Sequence, residues 1–263
     1  DVSVFDFGPG TGGDTEISVV NPVADLRRDL KRGEDVALLR VATDDPDPDY
    51  LRISVLTRFS DNEWSSGDRE VPVENLPNGA MPPLEGVLPG VPRTSYDYQV
   101  SIGDSFESTW LPTQAPISSI TSTGDWRFDP VTMDFISSEK GLTTAGADYR
   151  MTGVDLDYDP AELAASGPAI NEDTQRFLEL PTSLPPLVSN LAFGVTEDAP
   201  TKFEKAQALQ QWFREDGGFE YNLARSPNGS GVDDLEAFLD EENGRVGYCE
   251  QFAASMAVMA RVL

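Results

Sequence analysis

The sequence predicts an α+β protein, with a β-rich, sandwich-like part over residues 1–157 and a helical part over residues 158–263. Three observations carry that prediction. Up to about Tyr158, short runs of β-branched and aromatic residues alternate with clusters of Pro, Gly, Asp, Ser and Thr, the pattern of strands joined by turns. Beyond it the hydrophobic period lengthens towards 3.6, and Ala, Leu and Glu displace Thr and Val, as amphipathic helices require. The chain is 39% hydrophobic with 13 Phe, 7 Tyr and 4 Trp, enough apolar volume to fill a core in each part.

The strands are expected in order at Asp35–Thr43, Tyr50–Phe59, Ser95–Ile102, Ser105–Leu111 and Trp126–Ile136. Alternation is clearest in Leu51, Ile53, Val55 and Thr57, the period of a half-buried strand. Residues 71–93 are rich in proline, which donates nothing to a ladder, and read as a long irregular loop. In the second part the strongest helix is Lys202–Arg214. Thr201 and Glu204 form a capping box, while Phe203, Ala206, Leu209, Trp212 and Phe213 make an apolar face that Gly217-Gly218 ends. A second helix is expected over Asp233–Asp240, followed by an Asn243-Gly244 turn. The last begins near Tyr248, with Cys249, Phe252, Ala253, Met256, Met259, Ala260 and Leu263 as one stripe and Ala254, Ala257, Val258 and Val262 over most of the rest. A helix apolar nearly all round is expected to be buried.

Charge narrows the function classes. Nineteen basic against 46 acidic side chains leave −27, a field that repels phosphate, so no nucleic-acid partner is expected and direct binding to an anionic membrane surface is disfavoured. The single cysteine permits no internal disulfide. With no histidine in the chain, neither a Cys-His nor a Ser-His catalytic pair can form from its own residues. The longest nearly apolar stretch, Phe252–Leu263, falls short of the roughly 20 residues a membrane span needs. An abrupt start at Asp1 and a stop inside a helical pattern lead us to expect a piece of a longer protein.

Cys249 is the one candidate catalytic residue. It lies in Gly247-Tyr248-Cys249-Glu250-Gln251-Phe252-Ala253, where a loop turns into the last helix. The unpaired amides and dipole of a first helical turn favour a thiolate, the nucleophilic form, whereas the Glu250 carboxylate beside it opposes a second negative charge. A lone cysteine is also a small core hydrophobe, so position alone leaves both roles open.

The run Arg245-Val246-Gly247-Tyr248-Cys249-Glu250-Gln251-Phe252-Ala253-Ala254-Ser255-Met256-Ala257-Val258-Met259-Ala260-Arg261 resembles the nucleophile motif of bacterial transglutaminase-like (papain-like cysteine) proteins. Residues 203–212, Phe219-Glu220-Tyr221-Asn222-Leu223 and residues 233–239 resemble the same family's approach to that motif. Residues 21–30 and 43–52 resemble its membrane-anchored actinobacterial branch. The resemblance implies that residues 158–263 are the helical first half of a transglutaminase-like core and that Cys249 is the nucleophile. It also implies a His and an Asp beyond Leu263, anchoring helices outside this chain, and a position on the extracytoplasmic face of the cell membrane. The reaction implied is acyl transfer or amide hydrolysis through a thioester, on a peptide or protein substrate such as a cell-wall peptide, with no cofactor. Tyr221 and Trp212 are conceivable oxyanion donors without assignment. The alternative is a non-catalytic cell-surface interaction or assembly module of the same fold.

The remaining signals read as structural. Asp44, Asp45, Asp47 and Asp49, and Asp155, Asp157 and Asp159, lack the glycine and glutamate of a calcium loop, and no metal is expected. Gly8–Gly13 lacks the lysine of a phosphate loop and reads as a flexible terminus. The basic patch Arg27, Arg28, Lys31 and Arg32 is expected to pair internally. The apolar stripe of the last helix leaves self-association and fraying as two open outcomes.

Overall fold

The computed structural model describes residues 37–60, 63–67, 71–84, 86–168, 175–224, 229 and 231–263. The readings on Gly8–Gly13, residues 21–30 and the basic patch Arg27, Arg28, Lys31 and Arg32 lie outside the described residues.

The first part contains β1 (Leu39–Thr43), β2 (Arg58–Phe59), β3 (Trp64–Ser65), β4 (Asn78–Ala80), β5 (Arg93–Ile102), β6 (Trp110–Leu111), β7 (Ile117–Ser122), β8 (Trp126–Phe128), β9 (Phe135–Ser137) and β10 (Asp148–Leu156). A five-stranded sheet runs in the order β1-β5-β10-β7-β4, and a three-stranded sheet in the order β6-β9-β8. Every pairing in both is antiparallel. The two-residue period sets which side chains meet between them. Tyr98, Val100, Ile120, Tyr149 and Met151 of the larger sheet pack on Leu111, Trp126, Phe128 and Phe135 of the smaller. Outward from the same strands face Asp97, Gln99 and Arg150. The expected sandwich is therefore present. Close packing imposes a bulge: the β10–β7 register slips between Thr152 and Gly153, and a Cβ on Gly153 would stand 2.8 Å from the Tyr98 ring.

Two buried phenols secure this core. Tyr98 donates its hydroxyl hydrogen to the Asp45 carboxylate, and Tyr149 donates to the Pro112 carbonyl. Burial pushes both phenols above the usual 10, and for Tyr98 the hydrogen bond to Asp45 and that carboxylate's charge push the same way.

Several strands differ from expectation. Residues 50–59 form one bridge, Arg52 to Thr113, and then only β2. The physical reason is that this segment is tied elsewhere: its Val55 N–H goes to the Asp134 carboxylate at 2.8 Å, and the Arg52 side chain binds the Thr132 and Met133 carbonyls at 2.8 Å. Of Ser105–Leu111 only β6 pairs. Trp126–Ile136 splits into β8 and β9 because Asp129 Oδ1 accepts from the Val131 and Thr132 amides (2.8 and 3.2 Å) and turns the chain. β7 and β10, Ser- and Thr-containing strands central to the large sheet, lie outside the expected strands. Residues 71–84 and 86–92 are irregular except for β4 at the sheet edge.

The second part contains α1 (Pro160–Ala165), α2 (Pro186–Val195), α3 (Lys202–Gln211), a π-turn (Trp212–Asp216), β11 (Glu220–Tyr221), α4 (Val232–Leu239), β12 (Val246–Gly247) and α5 (Cys249–Val262). The Thr201–Glu204 capping box is formed at both ends: Thr201 Oγ1 accepts from the Glu204 amide at 3.2 Å and Glu204 Oε2 from the Thr201 amide at 3.0 Å. The helix begun there tightens no further than Gln211. Its last turn is the π-turn, closed by the Gly217 amide on the Trp212 carbonyl at 2.8 Å. Val188, Leu209, Phe213, Leu235, Phe238, Val258 and Met259 form the core of this part, joined by Phe59 and Trp64 from the β2–β3 hairpin.

The apolar stripe expected on α5 is buried only in part. Gln251, Ala254, Ser255, Val258 and Met259 are buried, whereas Cys249, Phe252 and Met256 are partly exposed and Ala253 and Ala260 exposed. At the far end of α5, Arg261 donates to the Thr57 carbonyl at 2.8 Å and the Glu179 carbonyl at 3.0 Å, with its guanidinium 4.5 Å from the centre of the Trp64 ring. Among the described residues no helix is long and apolar enough to cross a membrane.

Two outcomes follow from these cores. Trp64→Ala is expected to lower stability by about 3–5 kcal/mol, since it empties a buried aromatic site; urea denaturation reads this, and a loss under ~1 kcal/mol would show that the hairpin is peripheral. The Tyr149 phenol is favoured neutral in the fold, so its stabilisation is complete below the unfolded pKa near 10 and is lost as pH rises above it. Tyr149→Phe should make the alkaline decline shallower by about 1.4 kcal/mol per pH unit, as denaturation series above pH 10 would show.

Candidate active site

Cys249 is the first residue of α5 and is partly exposed. Its approach is held by the short parallel pair β11–β12, in which Glu220 faces Val246 and Tyr221 faces Gly247. The Glu220 amide donates to the Arg245 carbonyl at 3.0 Å and the Asn222 amide to the Gly247 carbonyl at 2.7 Å. Before that pair the chain turns through Gly244 (φ 78°) and Arg245 (φ 49°), two successive left-handed residues. For arginine that conformation is unfavourable and needs compensation from its surroundings.

The compensation is visible in the Arg245 side chain. Its guanidinium donates to the Gly217 carbonyl at 2.6 Å and the Leu239 carbonyl at 3.2 Å. The same group lies 5.0 Å from the Trp212 ring centre and 5.3 Å from that of Phe219. One cation therefore ties the ends of the π-turn and of α4 to the segment that delivers the cysteine. Beneath it Phe219 packs against Phe213, Phe238 and Phe252 with centroids 5.0, 5.0 and 5.6 Å away. Gly247 passes so close to this cluster that a Cβ would meet the Phe238 ring at 2.5 Å. The glycine two residues before the cysteine is thus required by close approach rather than by an unusual φ.

Gln251 locks the start of α5. It is 2% exposed; its Oε1 accepts from the Tyr248 amide at 3.1 Å while its Nε2 donates to the Gly229 carbonyl at 2.6 Å. Tyr248 and Glu250 flank the thiol in sequence and are both buried, the Tyr248 hydroxyl donating to Glu250 Oε2 at 2.5 Å. Sequence reasoning placed Cys249 and noticed Glu250, but assigned no role to Arg245, Tyr248 or Gln251. The detectable signal was a Gln at the third position of a helix whose cap is not Ser, Thr, Asp or Asn. Of the two conceivable oxyanion donors, Trp212 is packed edge-on against Phe213 and Phe219 below Arg245. Tyr221 is 61% exposed, its ring 6.1 Å from Phe252.

The acidic clusters converge elsewhere. The Asp155 carboxyl is raised above its ordinary value by burial, then by the charges of Asp45, Asp49 and Asp47. Among the described residues no group of three or more His, Cys, Asp or Glu is arranged to hold a metal ion.

A β-sandwich joined to a helical unit that presents a cysteine at a helix start defines the class: a transglutaminase-like core preceded by an all-β domain. The chain belongs to the family described as TgpA N-terminal domain, whose model matches residues 2–160, and residues 189–263 match the transglutaminase-like superfamily. Two crystal structures of the periplasmic domain of TgpA from Pseudomonas aeruginosa share the fold. One, bound to ethylmercury, has a TM-score of 0.61 at 19% identity, over 91% of this chain and 76% of that one. The other has a TM-score of 0.61 at 18% identity, over 94% and 77%. The uncharacterized protein YebA of Bacillus subtilis (strain 168) is 30% identical over 89 residues, which are 34% of this chain and 12% of that protein.

The Gln251 lock yields a direct expectation. Gln251→Leu keeps the volume but orphans the buried Tyr248 amide and the half-buried Gly229 carbonyl, so stability should fall by about 1–3 kcal/mol and hydrogen exchange at the start of α5 should quicken. An unchanged exchange pattern would remove Gln251 from the account of how the cysteine is held.

Proposed function

We propose that this chain is the extracytoplasmic part of a membrane-anchored cysteine acyltransferase or amide hydrolase, with Cys249 as its nucleophile. The observation that supports it best is the placement of the thiol: partly open, at the first turn of a helix whose start is held by Gln251, Arg245 and the β11–β12 pair. Such a turn directs backbone N–H groups at the sulfur and at an oxyanion forming beside it. The likeness to a periplasmic domain supports the exterior location.

In the proposed reaction the thiolate attacks an amide carbonyl, the tetrahedral intermediate expels the amine, and a thioester remains on Cys249. Water then gives hydrolysis, and an amine gives a new amide. The general base is an imidazole, oriented by a carboxylate, that the family resemblance places after Leu263. Peptides or surface proteins outside the membrane are the substrates proposed.

The expected outcome for these 263 residues alone is no turnover of amide or cross-linking substrates, because the chain contains no histidine to serve as base. Its single cysteine should nevertheless take up iodoacetamide in the folded state. A longer chain, continued through the expected His and Asp, should label roughly tenfold faster at neutral pH and acquire turnover that Cys249→Ala abolishes. If the longer chain labels no faster and turns over nothing, the non-catalytic module is the better description.

A further inference from the structure

The outer face of the five-stranded sheet is hollowed into a groove of about 590 Å³ spanning β1, β5, β10 and β7. Hydroxyls order part of its floor. Ser119 Oγ donates to Thr152 Oγ1 at 2.9 Å, and Thr152 Oγ1 donates to Asp97 Oδ1 at 3.1 Å. The Asp97 amide in turn donates to Asp44 Oδ1 at 2.8 Å, which gathers two carboxylates at one end. The opposite charge stands on the neighbouring strand: Arg150 faces Gln99 across the ladder, while Thr152 faces Asp97. The Arg150 side chain is exposed and makes no hydrogen bond or ion pair among the described residues. In a chain with a net charge of −27, an arginine without an acidic partner at the centre of a concave polar surface points to an outside anion.

We propose that this groove binds a short peptide with free termini, its ammonium group at Asp97 and Asp44 and its carboxylate on Arg150. The charges set the class of ligand: a cation and two anions at diagonal positions of adjacent strands complement a zwitterion. Spacing sets its size. Diagonal neighbours on adjacent antiparallel strands lie about 7–8 Å apart, the span of about two extended residues. A free amino acid carries both charges on one Cα and leaves an end unpaired. The guanidinium takes a carboxylate through two parallel hydrogen bonds, and Gln99 and Thr152, the ladder partners of Arg150 and Asp97, lie beside the peptide link. Binding here is independent of the Cys249 chemistry.

Because the groove is open and the pairs are screened, the affinity is weak, with a Kd of about 1 mM that rises with salt. The test is a titration of isotope-labelled protein with L-alanyl-L-alanine at low ionic strength, followed by amide NMR. Saturable shifts confined to residues 97–99, 119–121 and 150–152 are expected. Arg150→Gln should weaken binding at least ~tenfold with the rest of the spectrum unchanged, and Cys249→Ala should bind like the parent. The same dipeptide with both termini capped should produce no saturable shift. The proposal is overturned if the capped and free dipeptides bind alike, if acetate binds as tightly as the dipeptide, if Arg150→Gln binds like the parent, or if nothing saturates.

Discussion

The guanidinium of Arg245 is the interaction on which the rest of the site depends. It reaches the carbonyls of Gly217 and Leu239 and lies on two aromatic rings, so one side chain joins the π-turn, the end of α4 and the approach to Cys249. Lysine has the charge but neither the plane nor the fork to do this. The left-handed backbone at Arg245 is tolerated because these contacts hold it. That same residue's carbonyl accepts from the Glu220 amide, which sets the register of β11 on β12 and through it the position of the cysteine.

The helix that carries Cys249 is gripped at both ends by different means. Its start is fixed by a buried glutamine that satisfies a backbone donor and a backbone acceptor at once. Its far end is fixed by Arg261, which is half-buried against two carbonyls and a tryptophan face; that burial lowers its pKa. Those partners include Thr57 and Trp64, from the chain's β-rich half. The hairpin bearing Trp64 belongs to the helical core by its packing, so the β domain supports the helix as well as standing beside it.

Much of this was legible from residues in order. The Thr201–Glu204 box, the extent of α4 and the start of α5 follow from local rules that need only a few neighbouring residues. The segment Tyr50–Phe59 shows where such rules stop. Its alternation is a strand's, but a strand needs a partner along its length, and here the Val55 donor goes to Asp134 and Arg52 meets Thr113 once. The π-turn was equally hidden, since it rests on Gly217 lying against Phe219 and the Trp212 carbonyl.

Sequence alone determined the α+β class, the order of a β-rich part before a helical one, and the single thiol at the start of the last helix. Composition, period and capping decide those, and all three are local. Only the tertiary structure decided which side of α5 is buried. Apolar residues lie nearly all round this helix; the buried side carries Gln251, Ala254, Ser255, Val258 and Met259, while Cys249, Phe252 and Met256 stay partly exposed. α5 packs by its buried side against α2, α3 and α4, where small residues let helices approach, and Gln251 finds its partners in Tyr248 and Gly229. A nearly uniform apolar helix has no preferred face of its own, so its neighbours choose one, and that choice leaves the cysteine partly open.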